Sequence, residues 1–502
     1  MSSTPGPPDS PEKSAPPVSL LAKNRKTMRS RVLSGLYWTG GVRFLGQLFT
    51  WGVTIIVIRL LKPEDYGLLA MATVFVAFLT MMADIGLGQA LVQTNKLDEN
   101  RLGQIFGAII IIDVALFLVQ FSVAPIIATF YSEPRLVDII RVLATSFLLT
   151  IFTTIPTALL TRQLDFKKQS LVDFCSTIIG SITTLLLAWH GSGVWSLVYG
   201  TLLTAGCRAV AYNLLVRHLQ WPQFSMRGVR GLIVFGGQMT IARLLWFIYS
   251  QADMFIAGKQ LGAQQLGIYS VAMHLASLPV QKISSIINQV AFSAFARAQN
   301  EPAQMSVYLL KAVRILSFFV FPVLWGMSIL AEELVAVALG NQWQQVTLPL
   351  QALALVMPIR MIGNFVPSAT DGAGRADIGM KNLLISNAIM LPAFLYGSQW
   401  GLSGLCAAWV LASPVAFLIN LNNSLSILDI RIQSVLAAMA RPACCALAMA
   451  SGIKLLQSSS LFSYSIILNL LAPVIAGSIL YLASSMLINR KVVYEILDLR
   501  RK

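Results

Sequence analysis

The sequence predicts an all-α, polytopic membrane protein. About fourteen transmembrane helices are expected, in two pseudo-symmetric six-helix lobes plus two C-terminal helices. Three observations predict this. The 502 residues are 56% hydrophobic and only 12% charged, whereas soluble domains carry about 25% charge. The apolar runs are continuous over roughly 20 residues, the helical signature, not the alternating ~10-residue segments of a barrel. The two halves of the chain also share an ordered set of glycines and charges.

Residues 1–33 read as a disordered, basic cytoplasmic tail, Pro- and Ser-rich and then studded with Lys23, Arg25, Lys26, Arg29 and Arg31. No short apolar core with a small-residue cleavage site follows, so the tail is not expected to be a cleavable signal. Spans are expected at 34–58, 68–92, 103–130, 137–161, 169–189 and 194–216, an N-terminal six-helix lobe over 34–216. A basic linker, 217–230, precedes spans at 231–257, 267–294, 306–331, 346–369, 379–397 and 402–424, the second lobe over 231–427. Spans at 435–456 and 463–488 are the two extra helices of 428–488. A basic cytoplasmic tail, 489–502, closes the chain.

The repeat is read from ordered matches. Gly35-Leu36 with Gly40-Gly41 opens the first span, and Gly231-Leu232 with Gly236-Gly237 opens the seventh. Farther on, Arg59 matches Lys259, Leu61 matches Leu261, Gly67 matches Gly267, Ala72 matches Ala272 and Gln89 matches Gln289, all 200 residues apart. The same offset pairs Arg43 with Arg243.

The formal net charge of +16 is topological. Of the 37 Lys and Arg, 26 lie in one alternating set of loops with their span ends and both tails, and only six (Arg59, Lys62, Arg135, Arg141, Lys259 and Lys454) in the other. By the positive-inside rule this places both termini in the cytoplasm. Nucleic-acid binding is not expected. The five cysteines (Cys175, Cys207, Cys406, Cys444, Cys445) sit in apolar runs without a CxxC, so they read as packing residues. No metal site and no catalytic constellation is visible, and the chain is not expected to be an enzyme or to carry a cofactor.

Charges inside spans are the informative residues, because each costs ~2.5–3.5 kcal/mol at mid-span on insertion scales. Arg43 lies on a polar stripe with Thr39, Gln47, Thr50 and Thr54, spaced to share one helix face. Arg243 lies on a stripe with Gly236, Thr240 and Ser250. The eighth span carries Ser270, His274, Ser277, Gln281, Ser285 and Asn288 at helical spacing, widened by Lys282 and Gln289. The tenth carries Arg360 among Pro349, Pro358 and Pro367, which predict a bent helix. The acids are Asp84, Asp113, Asp173 and Asp253. Two readings stay open. The charges form interhelical ion pairs, for instance Asp84 with Arg43 or Asp253 with Lys282. Alternatively, Arg43, Arg243, Lys282 and Arg360 give a water-filled cavity a cationic wall for an anion, since the arginine fork suits phosphate. Polar or coupling candidates in that cavity are Asp84, Asp253, Gln47, His274, Gln281 and Asn288. His274 alone reads equally as a packed histidine. Asp84 or Asp253 are candidates for H+ or Na+ coupling.

The stretch Ile58-Arg59-Leu60-Leu61-Lys62-Pro63-Glu64-Asp65-Tyr66-Gly67-Leu68, followed by Asp84-Ile85-Gly86-Leu87-Gly88-Gln89, resembles the Wzx-type polysaccharide flippases of the multidrug/oligosaccharidyl-lipid/polysaccharide exporter superfamily, nearest their colanic-acid-type branch. Arg162 to Lys167, Gly193 to Leu197, Asp253 to Lys259, Leu266 to Ser270 and Leu278 to Ile283 extend the resemblance in order, over about residues 34–488. It implies a V-shaped cavity between two lobes, with Arg43, Arg243 and Lys282 as cavity positions. It implies movement of an undecaprenyl-diphosphate-linked oligosaccharide across the bacterial inner membrane. Lipid-linked oligosaccharide and membrane lipids are the implied partners, with polysaccharide polymerase and chain-length machinery beside them. A multidrug or other lipid-linked-precursor exporter on the same fold would favour an acidic cavity. A membrane polymerase or ligase would need a long external loop, and the connections here are short.

Overall fold

The computed structural model of the protein describes residues 46–83, 99–216, 221–224, 230–297, 302–372, 374–426, 430–458 and 466–490, with isolated residues beside them. The side chains of 230–240 and 281–297 lie outside the described set. Among the described residues every regular element is a helix.

The first half contains α1 (Gly46–Leu60), α2 (Pro63–Ala83), α3 (Glu99–Tyr131), α4 (Leu136–Arg162), α5 (Phe166–Trp189) and α6 (Val194–Val216). Arg230–Arg297 is a hairpin: Gly262, at φ 79 and ψ 177, separates α7 (230–261) from α8 (263–297). That positive φ is open to glycine at no steric cost. There follow α9 (Pro302–Ile329), the short α10 (Ala331–Ala338), α11 (Thr347–Phe365), α12 (Pro367–Gly372), α13 (Ala376–Gly397) and α14 (Gly401–Leu425). The extra helices are α15 (Ile432–Ser458) and α16 (Ile466–Ile488).

Every predicted span overlaps one of these helices. Ten stretches of the described residues are long and apolar enough to cross a membrane, one of them, 377–425, holding both α13 and α14. The polytopic helical class therefore stands on these ten stretches, and the full count of fourteen on the sequence. Pro358 is absorbed within α11, whereas Pro367 opens α12 after a one-residue break.

Local sequence explains the entry to α2. Pro63 is its first residue, where a missing N–H costs nothing. Glu64 and Asp65 fill the first turn, favoured by the helix dipole. Asp65 Oδ2 accepts from Lys62 N at 3.0 Å, as in a capping box. Its other oxygen accepts from Val194 N at 2.9 Å, capping α6 as well.

Helix pairs close on small residues. A Cβ at Gly180 of α5 would collide with Thr204 and the Gly200 carbonyl of α6, and one at Gly200 with Thr184. This is the small-xxx-small approach that membrane helices use, where lipid supplies no hydrophobic drive. Beside it, Arg208 Nε lies 3.2 Å from Asp173 Oδ1, and Tyr212 Oη donates to the same oxygen at 3.1 Å. For these two intramembrane charges the ion-pair reading holds. Asp113 on α3 is buried, and no hydrogen bond or ion pair reaches it among the described residues. The largest core runs through the contact between the halves, joining Ile58, Leu68 and Met71 to Leu266, Tyr269 and Trp409. The extra helices sit on α9, where Tyr481 Oη donates to Phe318 O at 2.7 Å.

Candidate functional site in the C-terminal half

Within the C-terminal half, α7, α11, α12, α13 and α14 wall a cavity of about 510 Å³, with the acid Asp371 of α12 among its lining residues. Trp246 and Tyr249 come from α7, Arg360 and Asn364 from α11, Asn382 and Ser386 from α13, and Ser413, Asn420 and Ser424 from α14.

Arg360 is its cationic wall. The guanidinium carbon lies 4.6 Å from the Trp409 ring centroid and 5.9 Å from that of Tyr249. Nη1 reaches Met273 Sδ at 3.8 Å. Among the described residues no carboxylate pairs with it. An indole face stabilises a cation by about 0.5–2 kcal/mol; the Tyr249 side chain also hydrogen-bonds this guanidinium, and Asp253 lies within its electrostatic reach.

Behind Trp409 lies a buried polar relay. Trp409 Nε1 donates to Tyr269 Oη at 2.7 Å and to Asp253 Oδ2 at 3.3 Å. Tyr269 Oη donates to Asp253 Oδ2 at 2.6 Å, and Met254 N donates to Asp253 Oδ1 at 2.8 Å. All three side chains are buried. The hairpin makes this possible, because Asp253 and Tyr269 lie at similar separations on either side of Gly262. The suggested pairing of Asp253 with Lys282 falls on a side chain outside the described residues; the described partners of Asp253 are Tyr269, Trp409 and the Met254 amide.

Opposite Arg360, amides and hydroxyls line α13 and α14. Asn382 Nδ2 donates to Ser424 Oγ at 2.9 Å, Asn420 Nδ2 to Ser386 Oγ at 2.7 Å, and Asn423 Nδ2 to Asn382 Oδ1 at 3.3 Å. Asn387 Nδ2 donates to Leu245 O at 3.0 Å, tying α13 to α7. Asn420 Oδ1 and Ser413 Oγ are buried and, among the described residues, have no hydrogen-bond partner. Both belong to cavity-lining residues, but these two oxygens are themselves buried.

The ten expected site residues divide unevenly. Arg360 lies on the cavity wall, and Asp253 is linked to it through Trp409. Arg243 is half-buried on α7 beside the cavity-lining Ala242 and is already engaged in an interaction. Gln47 is half-buried on α1 and likewise engaged. Thr50 and Thr54 share its half-buried face, as the stripe predicts. His274 is exposed on α8 and does not line the cavity. Arg43 and Asp84 lie outside the described residues, as do the side chains of Lys282, Gln281 and Asn288. Charge alone did not reveal the amide rail. Its signal was the four-residue spacing of Asn382/Ser386 and Asn420/Ser424 within apolar helices.

Residues 56–348 match the family described as "Polysaccharide biosynthesis protein". The succinoglycan biosynthesis transport protein ExoT of Rhizobium meliloti is 26% identical over 472 residues, covering 92% of this chain and 94% of that protein. The lipopolysaccharide biosynthesis protein WzxC of Escherichia coli is 22% identical over 379 residues, 74% of this chain and 76% of that protein. Among solved structures, the lipid II flippase MurJ superposes with a TM-score of 0.72 over 91% of this chain and 99% of its own, at 13% identity, which speaks for the fold. The expected resemblance to Wzx-type flippases is thus met by a named relative, and the chain belongs to the polysaccharide biosynthesis protein family.

Proposed function

We propose that the protein is a flippase, not an enzyme. It carries undecaprenyl-diphosphate-linked oligosaccharide repeat units across the bacterial inner membrane for exopolysaccharide, capsule or O-antigen synthesis. The observation that carries this reading is Arg360, a guanidinium held on an aromatic face at the wall of a cavity lined by the amides and hydroxyls of α13 and α14. The diphosphate takes the guanidinium fork, which donates two parallel hydrogen bonds to phosphate oxygens. Sugar hydroxyls meet the amides and hydroxyls of α13 and α14, which replace water. The prenyl chain stays in lipid, so the protein has only the polar headgroup to shield from hydrocarbon.

On this reading 34–216 and 231–427 act as lobes, and rocking one against the other exposes the headgroup to alternate sides. Both termini are cytoplasmic by the positive-inside asymmetry. Arg43, Arg243 and Lys282 extend the cationic surface beyond the Arg360 cavity. Asp253, at the end of the Trp409 relay, is the coupling group within the described residues, for H+ or Na+, with Asp84 the other candidate. Polymerase and chain-length proteins receive the product. A multidrug exporter would favour an acidic wall; this cavity carries Arg360 together with Asp371, and it is the polysaccharide biosynthesis relatives that favour the flippase reading.

The test is reconstitution. Purified protein in liposomes is given a fluorescent prenyl-diphosphate oligosaccharide in one leaflet, and quenching from one side follows its transfer. Transfer faster than in protein-free vesicles is expected. Equal rates, with protein oriented and folded, would refute the proposal.

A further inference from the structure

The motif that carries most of the family resemblance, Arg59 to Gly67, takes no part in the cavity. Its side chains instead hold the two halves together, at the end of the bundle where α1 turns into α2 and α7 into α8. Arg59 donates to the Val337 and Ala338 carbonyls at the C-terminus of α10, in the opposite half. Contacts also run the other way. Trp343 Nε1 donates to Ile58 O at 2.8 Å, and Gln342 Nε2 to Arg59 O at 2.6 Å, so the second half caps the C-terminus of α1. Tyr66 packs edge-on against Trp343, centroids 5.6 Å apart.

The repeat partner of Arg59 does the same from the other side. Lys259 Nζ donates to Phe130 O at 2.5 Å, at the C-terminus of α3, and stands 4.8 Å from the Phe130 ring centroid. Each half thus extends one cation onto the C-terminal carbonyls of a helix in the other. Such carbonyls lack intrahelical donors and sit at the negative end of the helix dipole.

Between the two arms the halves cross on glycine. A Cβ added to Gly67 would overlap the Ala263 carbonyl, and one added to Gly267 would overlap the Pro63 carbonyl. Gly67 and Gly267 are repeat partners, as are Pro63 and Ala263. The contact is therefore reciprocal about one pseudo-two-fold axis. Below it Phe75, Phe130, Tyr131 and Phe255 form an apolar plug drawn from both halves. Two glycines at the axis and two exchanged arms is more than close packing requires.

We infer that this crossing is a two-armed latch, closed in this structure, that seals one end of the passage between the halves and releases in each transport cycle. Arg59 and Lys259 are latch cations and do not hold substrate. The flippase reading enters only in tying release to a transport cycle; the positive-inside asymmetry makes this the outer end.

The test is a distance measurement on the full chain. Spin labels are placed at Lys62→Cys and Gln264→Cys, exposed positions on either side of the crossing, in a variant whose five native cysteines are replaced by alanine. One short-distance population is expected. Arg59→Ala with Lys259→Ala should raise a longer-distance population at least about tenfold, the ratio that one charge-assisted hydrogen bond supports. Arg59→Lys with Lys259→Arg, which keeps both donors, should restore the short population. Gly67→Ala should open the crossing by steric wedging; if it does not fold, the cation pair decides alone. Distance distributions that coincide across the cation variants overturn the latch. Latch opening combined with no headgroup transfer by the natural protein overturns the flippase reading and leaves the latch standing. Transfer by a protein whose label distance never changes does the reverse.

Discussion

Arg360→Ala is the substitution on which the cavity reading depends most. A hydrogen bond to a charged group contributes about 1.5–3 kcal/mol, and the guanidinium fork can make two to a phosphate. Taking the net loss at about 3 kcal/mol, half-saturation for a prenyl-diphosphate substrate should rise about 150-fold. Arg360→Lys keeps the charge but gives up the planar fork, so a loss of about 1.4 kcal/mol, roughly tenfold, is expected. Loss of the aromatic contact should cost about 0.5–2 kcal/mol of stability, with a further cost from Tyr249 and the buried Asp253, which the same guanidinium reaches. The assay is the liposome transfer described above, run across substrate concentrations, with thermal melting of each variant in detergent. Transfer by Arg360→Ala at the natural half-saturation, from protein that melts normally, would refute the assignment. A large fall in melting temperature with normal transfer would make Arg360 a packing residue.

Three further outcomes follow from the same geometry. Tyr269→Phe removes one donor to Asp253 and one acceptor for Trp409; about 2–4 kcal/mol of stability should be lost, read as a melting shift of several degrees, and an unshifted melt would show that the relay is not held by this hydroxyl. Asp253→Asn keeps the shape and an acceptor for Tyr269 but removes the titratable charge. If Asp253 couples transport to protons, headgroup transfer in that variant should no longer respond to an imposed pH gradient, and a natural response would end that role. Gly180→Leu forces α5 and α6 apart at the Thr204 contact; overpacking of this kind costs about 1–3 kcal/mol, and a melting temperature within a degree of natural would count against the close crossing.

The helices were legible because each needs a roughly 20-residue apolar run, and lipid permits few alternatives. The repeat was legible because glycines and charges are scarce in such runs. The partners were not. Arg360 meets Trp409 from a different helix, and no periodicity within α11 points to α14. Asp253 was assigned a cation by charge alone, whereas the Gly262 hairpin gives it Tyr269. The connection between the ninth and tenth expected spans had no element assigned to it. It holds α10 and the turn with Trp343, and two acidic residues, Glu332 and Glu333, kept it out of the apolar pattern. That segment receives Arg59, so the diagnostic motif was visible in sequence while its purpose was not.

The two devices differ in symmetry, and the difference constrains how they work together. The latch is reciprocal: Arg59 and Lys259, Gly67 and Gly267, and Pro63 and Ala263 play matched parts. The relay is not. At the same offset Asp253 corresponds to Val53 and Tyr269 to Leu69, apolar residues of the first half, with Val53 buried. A contact on a pseudo-two-fold axis must satisfy both halves at once, so it holds matched residues in place. A site off the axis carries no such constraint, and one half can specialise in it. Free energy from headgroup contacts at the Arg360 cavity is then released in the second half. A short route from there to the axis is the α7–α8 hairpin, which carries Asp253 and Tyr269 below the bend and Lys259 and Gly267 beside it. Asp253 and Lys259 are separated by about 9 Å along one helix. A ligand shifts an equilibrium between states only by its differential contacts with them. Rotation of this hairpin is the motion that changes relay and latch contacts together, so coupling between load and gate is expected there and not through α1–α2.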